Sequence, residues 1–451
     1  MEKIQAQAPI SLSNCSRENI LDYFENAWQL EDMLLKSIIK EEAFYCNPDD
    51  LRNPLIFYLG HAAAFYTNKL QMVNLLKKSP NPDYELLFGV GVDPATPAEL
   101  NSAIAHIQWP RVAKVWKYRQ QVYEIVVEII KNIPLNLPIH PQHYLWSLMM
   151  GIEHQRVHFE TSSMLLRQLP LDCLQRPQGW HYAPAFGQAY PNQMVEVSGG
   201  IVEIGKPQDS PIYGWDNEYG YRQVQVNNFL VSKYMITNGE FKEFVHNGGY
   251  ENPSYWDEEA WQWKNHYRVK YPKFWLVDEG GNYQYRAMFD VFDLPLDWPV
   301  EVNYYEAIAY CRFQGQGIRL MREAEWNLAT YGSQKNRCYT LENDNFEDYN
   351  LNLKFCSPTP VGMLKNAGNN SEIYDLRGNV WEWLEDDFNP LTDFQPHYLY
   401  ADNSTPFFNS QHKMMLGGAW VTNGTEILPY YRNWFRRNFY QHAGFRIAQS
   451  L

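Results

Sequence analysis

The spacing of apolar residues changes character at Pro170, and that change restricts the chain to a helical part followed by a mixed one. Upstream, SRENILDYFENAWQLEDMLLKSIIKEEAF repeats apolar residues at helical intervals. It starts at Ser16, with Asn19 and Ile20 behind it and Glu18 supplying first-turn negative charge. A second segment, PLIFYLGHAAAFYTNKLQMVNLLKK, opens at Pro54, where proline is tolerated. RVAKVWKYRQQVYEIVVEIIKNI follows Pro110, and HYLWSLMMGIEHQRVHFETSSMLLRQL ends before Pro170. Four long helices joined by Pro-rich loops predict a four-helix bundle over residues 1–169. LPLDCLQRPQGWHYAPAFGQAYPNQ has neither period and is expected to be a linker, 170–193, that packs on the bundle. From Met194 onward, short strands such as MVEVSGGIVEIG and NFLVSKYMIT alternate with glycine turns and brief helices such as REAEWNLATYG. This predicts an irregular α+β domain over 194–451.

A length of 451 residues agrees with two domains. With 38 Lys+Arg against 52 Asp+Glu, the net charge of −14 argues against general attraction to nucleic acid or anionic membrane. No apolar run reaches the ~18 residues of a membrane span, and the start, MEKIQAQAPISLSNCSRENI, has no apolar h-region. A soluble cytoplasmic protein is expected. Six scattered cysteines without CxxC pairing read as reduced thiols. The 16% aromatic content, with 16 Trp and 32 Tyr, suits the lining of a small-molecule pocket.

Chemistry concentrates in GIEHQRVHFETSS, residues 151–163. His154 and His158 are four apart, so one helix face can aim both imidazoles at one point. Such pairs also arise by chance on helices, so a third ligand decides the matter. FYLGHAAAFY supplies one: His61 sits among Gly60 and Ala62–Ala64, small residues that let helices approach closely. Three neutral imidazoles suit zinc, copper or ferrous iron. Glu160 lies ~200° around the helix from His158 and cannot join the same inner shell, so it is expected to support the site from outside.

GHxxxFY and HxxxHxE on a DinB-like four-helix bundle precede GWDNEYG (214–220), WPVEVNYYEA (298–307), RLMREAEW (319–326), GNVWEW (378–383), LGGAW (416–420) and AGFR (443–446). Together these motifs resemble the sulfoxide synthases of thiohistidine biosynthesis. The second half is similar to the formylglycine-generating-enzyme fold, a C-type-lectin-like α+β domain. The resemblance implies non-heme Fe(II) held by His61, His154 and His158, with O2, a thiol and an imidazole as substrates. It further implies that Tyr400, in HYLYADNSTPFF, is the catalytic tyrosine that steers oxidation towards carbon–sulfur coupling, with Tyr398 and Tyr304 as rivals.

Two branches of that family compete. FENAWQLEDML, GVGVD, GWDNEYG and FRRNFYQHAGFR resemble the ovothiol branch, which joins histidine to cysteine. Arg432-Asn433-Trp434 instead matches the RNW of the ergothioneine branch, which uses hercynine, and a tryptophan face suits its quaternary ammonium. The expected function is therefore an ergothioneine-type synthase on an ovothiol-type scaffold without a methyltransferase domain. Cysteine is the expected thiol, with γ-glutamylcysteine as the alternative, because ELNSAIAHIQWPRVAKV shows no matching arginines. Val157 stands where actinobacterial relatives carry a glutamine. Asn433 and Trp434 are the expected substrate contacts, and Arg436, Arg437 and His442 could hold substrate carboxylates. GNVWEW and AEW are assigned to the domain core, and the iron and the second-domain residues are expected to meet at the domain interface.

Three other classes remain. Formylglycine generation needs a reactive C-terminal cysteine pair, whereas Cys356 is the last cysteine here. A DinB-type metal-dependent thiol transferase would work without O2. A lectin-like binding module would have no use for three convergent histidines.

Overall fold

The computed structural model describes residues 4–89, 91, 93–333, 339–365 and 372–451. Cys338, and Val90 and Val92 of the GVGVD segment, lie outside the described residues. Two compact units are present: Met1–Trp180 with Asp209–Tyr213 and Met288–Asp290, and a second built from His181–Gln208, Gly214–Ala287 and Val291–Leu451. The stretch 170–193 is divided between them, grouping with the first unit through Trp180 and with the second from His181.

Among the described residues the first unit carries the α-helices α1 (Arg17–Lys36), α2 (Leu55–Met72), α3 (Pro82–Leu87), α4 (Pro97–Ile104), α5 (Val112–Asn132) and α6 (Trp146–Leu166). The long ones, α1, α2, α5 and α6, are those the apolar spacing predicts, and they pack on one another. α1 opens with a reciprocal cap: Ser16 Oγ accepts from the Asn19 amide at 3.0 Å, and Asn19 Oδ1 accepts from the Ser16 amide at 2.9 Å. α3 and α4 are additions to the expectation. Each is too short to display a period, and each starts from a side-chain cap, Asn81 or Thr96, followed by proline.

α6 departs from an ordinary amphipathic helix because it is buried on nearly every side, Glu153, Gln155, Arg156 and Glu160 included. Buried polar groups are tolerable only when paired. Tyr23 donates to Glu153 Oε1 at 2.8 Å, and Arg156 lies 4.0 Å over the Tyr23 ring. Gln155 accepts from Tyr66 at 3.0 Å and donates to Glu31 at 2.7 Å, while Arg119 bridges Glu31 and Asp32 at 3.0 and 2.8 Å. α1 and α2 thus meet the polar side of α6 with partners of their own, and α5 backs them through Arg119.

The second unit carries β1 (Met194–Val197), β2 (Gly200–Ile204), β3 (Arg222–Val226), β4 (Phe229–Ser232), α7 (Asn238–His246), α8 (Glu258–His266), β5 (Trp275–Val277), β6 (Tyr283–Arg286) and β7 (Val291–Asp293). It continues through α9 (Tyr304–Gln314), β8 (Ile318–Leu320), α10 (Glu323–Tyr331), β9 (Trp381–Asp387), β10 (His412–Leu416), β11 (Asn433–Arg436), β12 (Ala443–Gly444) and β13 (Ile447–Ser450). There are two four-stranded sheets, in the orders β1-β4-β13-β8 and β11-β10-β9-β12, and separately a three-stranded β5-β6-β7 sheet and a β2-β3 pair. Short strands and short helices in alternation are the mixed α+β architecture that the sequence predicts. Phe229, Val231, Trp326, Leu384, Phe388, Met414 and Leu416 belong to one of its apolar clusters.

Three motifs combine into one scaffold. In AGFR, a Cβ on Gly444 would lie 2.5 Å from the Val300 carbonyl oxygen, so only glycine lets β12 run against the WPVEVN segment. The next residue, Phe445, is fully buried. Arg446 then pairs with Glu382 of GNVWEW at 3.0 Å and donates to the carbonyls of Ser232, Lys233 and Tyr374. The assignment of GNVWEW to the core follows from this pairing. Arg446→Ala strands Glu382 as an uncompensated buried charge, and the expected loss is about 3–5 kcal/mol of second-unit stability. Urea unfolding followed by tryptophan fluorescence measures it; a variant within ~1 kcal/mol of the parent would contradict the pairing's structural role.

Candidate metal centre

α2 contributes His61 and α6 contributes His154 and His158 to one cluster, in which a ligand atom from each lies within 4.8 Å of the others. Ring centroids are 4.4 to 4.9 Å apart across the three pairs. Two glycines permit this. A Cβ on Gly151 would sit 2.4 Å from the Tyr66 ring of α2, and one on Gly60 would sit 2.5 Å from the Phe88 ring. The first allows α6 to close on α2. The second brings the Phe88 carbonyl to His61, whose Nδ1 donates to it at 2.6 Å.

Because a carbonyl can only accept, this bond places the proton on Nδ1 and leaves the Nε2 lone pair for a ligand role. Burial holds His61 down at about 4, with Lys69 adding to the effect and the Phe88 carbonyl opposing it. Burial also pushes His154 and His158 well below the usual imidazole range, reinforced by the neighbouring imidazoles and by Lys69 and Arg52 respectively. All three are neutral at pH 7, as ligands must be. Phe65 stacks on His154 with centroids 3.5 Å apart, and Phe57 stacks on His61 at 4.7 Å, so apolar walls fix the rings.

The residues fit a metal ion. His158 Nδ1 is buried with no hydrogen-bond partner, an arrangement that costs free energy unless something binds there. Among the described residues the donor group holds no carboxylate or thiolate, which suits zinc, copper or ferrous iron. Glu160 is buried on α6 but does not belong to the group, as its place around the helix requires. Sequence reasoning missed the Phe88 carbonyl, which has no side-chain signature; Gly60 was its only trace.

The second unit holds the other expected site residues. Tyr400 is half-buried in a turn, its amide donating to the His397 carbonyl at 2.9 Å. Burial, then the charges of Asp402 and Asp216, push its phenol above the usual range. Of its rivals, Tyr398 is exposed and Tyr304 is buried beneath Lys413, whose Nζ lies 5.1 Å from the ring centroid. Asn433, Trp434 and Arg436 share β11. Trp434 stacks flat on Phe388 with centroids 4.2 Å apart, and Asn433 Oδ1 accepts from the Trp434 amide. Arg437 is engaged by Glu259 at 3.0 Å and the Ser410 carbonyl at 3.1 Å. His442 is fully buried against Glu301 at 3.2 Å, a core position rather than an exposed carboxylate contact. Five described cysteines are free thiols, and no helix among the described residues is long and apolar enough to cross a membrane.

Gly60→Ala displaces the Phe88 ring and loosens the carbonyl that orients His61. The expected result is divalent-cation affinity ~10–100-fold weaker than the parent's by titration calorimetry, with His154→Ala abolishing tight binding. Parent-like affinity in both variants would rule out this cluster as the metal site.

Residues 183–451 match the profile of the sulfatase-modifying factor enzyme 1-like domain. The chain is 32% identical over 245 residues to a hercynine oxygenase of Mycobacterium tuberculosis, covering 52% of this chain and 56% of that one. It is 25% identical to ergothioneine biosynthesis protein 1 of Neurospora crassa over 96% of this chain and 58% of that one. To a hercynine oxygenase of Mycolicibacterium smegmatis it is 26% identical, over 89% and 92%. It thus spans little more than half the length of the first two of these relatives. With more than half of the chain inside the matched profile, the protein belongs to the family built on the sulfatase-modifying factor enzyme 1-like domain.

Proposed function

We propose that the protein is an O2-dependent sulfoxide synthase that joins the thiol of cysteine, or of γ-glutamylcysteine, to the imidazole ring of hercynine in ergothioneine biosynthesis. The observation that carries this reading is the three-histidine cluster, in a chain whose similarity to proteins named for hercynine and ergothioneine runs over nearly all of its length. The reaction consumes one imidazole C–H, one thiol S–H and one O2. One oxygen atom becomes the sulfoxide oxygen and the other leaves as water with the two hydrogens.

Ferrous iron bound by His61, His154 and His158 would pass the electrons given up by the two substrates on to O2, which redox-inert zinc cannot. The chain's own residues do the rest. Tyr400, kept a neutral phenol by burial, serves as proton donor. Asn433 and Trp434 receive hercynine, with a cation–π contact between the trimethylammonium and the indole worth ~0.5–2 kcal/mol. Arg436 and Arg437 hold carboxylates, Arg437 by sharing the charge it now gives to Glu259.

The test is oxygen uptake with mass-spectrometric product analysis, on anaerobically Fe(II)-loaded protein given cysteine plus hercynine or histidine. A hercynine–cysteine sulfoxide is expected. A histidyl-cysteine sulfoxide would move the protein to the ovothiol branch, and thiol transfer without O2 uptake would replace the reading with a metal-dependent transferase. Tyr400→Phe is expected to retain iron and substrate binding while diverting product to cysteine sulfinate, which takes both oxygen atoms of O2. An unchanged product ratio would remove the tyrosine's role.

A further inference from the structure

In the GWDNEYG motif, Trp215, Asp216, Asn217 and Glu218 are all buried. Three consecutive polar side chains there reach different parts of the second unit. Glu218 accepts from the Trp215 amide at 2.8 Å and from Lys206 at 3.1 Å, closing the turn on itself. Asn217 donates to the Arg432 carbonyl at 2.8 Å, and Arg432 Nη1 returns a bond to the Asn217 carbonyl at 3.2 Å. Asp216 Oδ1 accepts from Asn403 Nδ2 at 2.8 Å and from Ser404 Oγ at 2.5 Å.

The last pair matters because of what precedes it. The Asn403 amide donates to the Tyr400 carbonyl at 3.1 Å, so residues 400–404 form one turn, and that turn belongs to no strand or helix. A surface turn of this kind opens readily unless it is tied down. Asp216 ties two successive side chains of it to a buried point. Its other oxygen, Oδ2, is buried without a hydrogen-bond partner. Stability alone does not favour such a group, since an unsatisfied buried carboxylate oxygen costs free energy. Burial pushes the Asp216 carboxyl upward, and the bonds from Ser404, Asn403 and the Asn217 amide, with the charge of His397, pull it back.

We propose that Asp216 is a positioning residue: through Asn403 and Ser404 it fixes the turn that presents Tyr400, and so controls how product divides between sulfoxide and sulfinate. This rests on the role proposed above for Tyr400. The same motif anchors Arg432, the residue before Asn433 and Trp434, so a single buried turn sets the backbone at both groups of proposed site residues.

The experiment uses the full Fe(II)-loaded protein with cysteine and hercynine, and reads product ratio together with amide hydrogen exchange of residues 398–405. Asp216→Ala is expected to shift product towards sulfinate and to speed exchange in that peptide roughly tenfold or more, the loss of hydrogen bonds to a charged group. Asp216→Asn retains an accepting oxygen and is expected to restore both. Ser404→Ala, which removes one bond and leaves the carboxylate in place, is expected to fall between, and this variant carries the test if Asp216→Ala does not fold. In a Tyr400→Phe background Asp216→Ala is expected to leave the product ratio where Tyr400→Phe put it, because coupled residues are not additive. Additive effects, or faster exchange with a parent product ratio, overturn the inference and leave the proposed reaction standing. A parent product ratio in Tyr400→Phe itself removes the tyrosine's role and the inference with it.

Discussion

Three imidazoles can act as ligands together only while all three are neutral, and in the first unit burial enforces that state. The rings lie less than 5 Å apart, so protonating one of them would place a charge in an apolar enclosure beside two unhelpful neighbours. The same burial has a consequence for the helix that carries two of them. α6 turns once every 3.6 residues, so a face that goes inward at His154 and His158 takes Glu153, Gln155 and Arg156 inward on other sides once the helix is surrounded. Glu31 and Asn26 of α1 and Tyr66 of α2 meet those groups, and Arg119 of α5 in turn pairs with Glu31. The polar lattice inside the bundle is therefore a condition for the histidine site: without it, a helix with such a centre could not be enclosed.

The second unit solves a different problem by similar means. Its strands are short, several of only three or four residues, and short strands hold one another weakly. Buried arginine–glutamate pairs fasten them. Arg446 locks Glu382 of β9, and Arg432, immediately before β11, locks Glu323 at the start of α10 at 2.6 Å. Each guanidinium also takes backbone carbonyls, so the charge is paired and its donors are largely used. GNVWEW, AGFR and the arginine of RNW are, in these cases, the fastenings of an irregular fold.

This explains what the sequence could and could not disclose. The four long helices were legible because each runs for at least eighteen residues, long enough for a period to declare itself, and because Ser16, Pro54 and Pro110 mark the starts of the first three and Pro170 the end of the fourth. His61, His154 and His158 were legible because i,i+4 spacing and a run of small residues are local signals. α3 and α4 were hidden by their length. The Phe88 carbonyl was hidden because a backbone atom leaves no mark on composition, and its approach depends on a glycine 28 residues earlier. Asp216 was visible as a letter in GWDNEYG, but its partners lie 187 and 188 residues away, a distance over which no local pattern extends. His442 misled for the converse reason: beside two arginines in the sequence it suggested a carboxylate site, whereas Glu301, 141 positions earlier, takes it into the core.

Under the proposed reaction, a metal held by three imidazoles would leave one decision to the rest of the protein. Coupling and simple thiol oxidation each consume one O2, and they differ in the fate of its second atom, which leaves as water in the first and stays on sulfur in the second. Departure as water requires two protons to arrive at the right moment, and the substrates provide them only from the thiol and from the imidazole ring being attacked. A phenol that burial keeps protonated across the ordinary pH range can lend one early and recover it later from the ring. Such a loan is useful only if the hydroxyl waits at one place, because proton transfer falls off steeply once donor and acceptor leave hydrogen-bond reach. A tyrosine on an untethered turn would satisfy the chemistry and fail the geometry. Under the proposed reaction, a carboxylate buried with one oxygen committed to that turn and the other unsatisfied is the kind of costly feature that selection for geometry retains and selection for stability alone would remove.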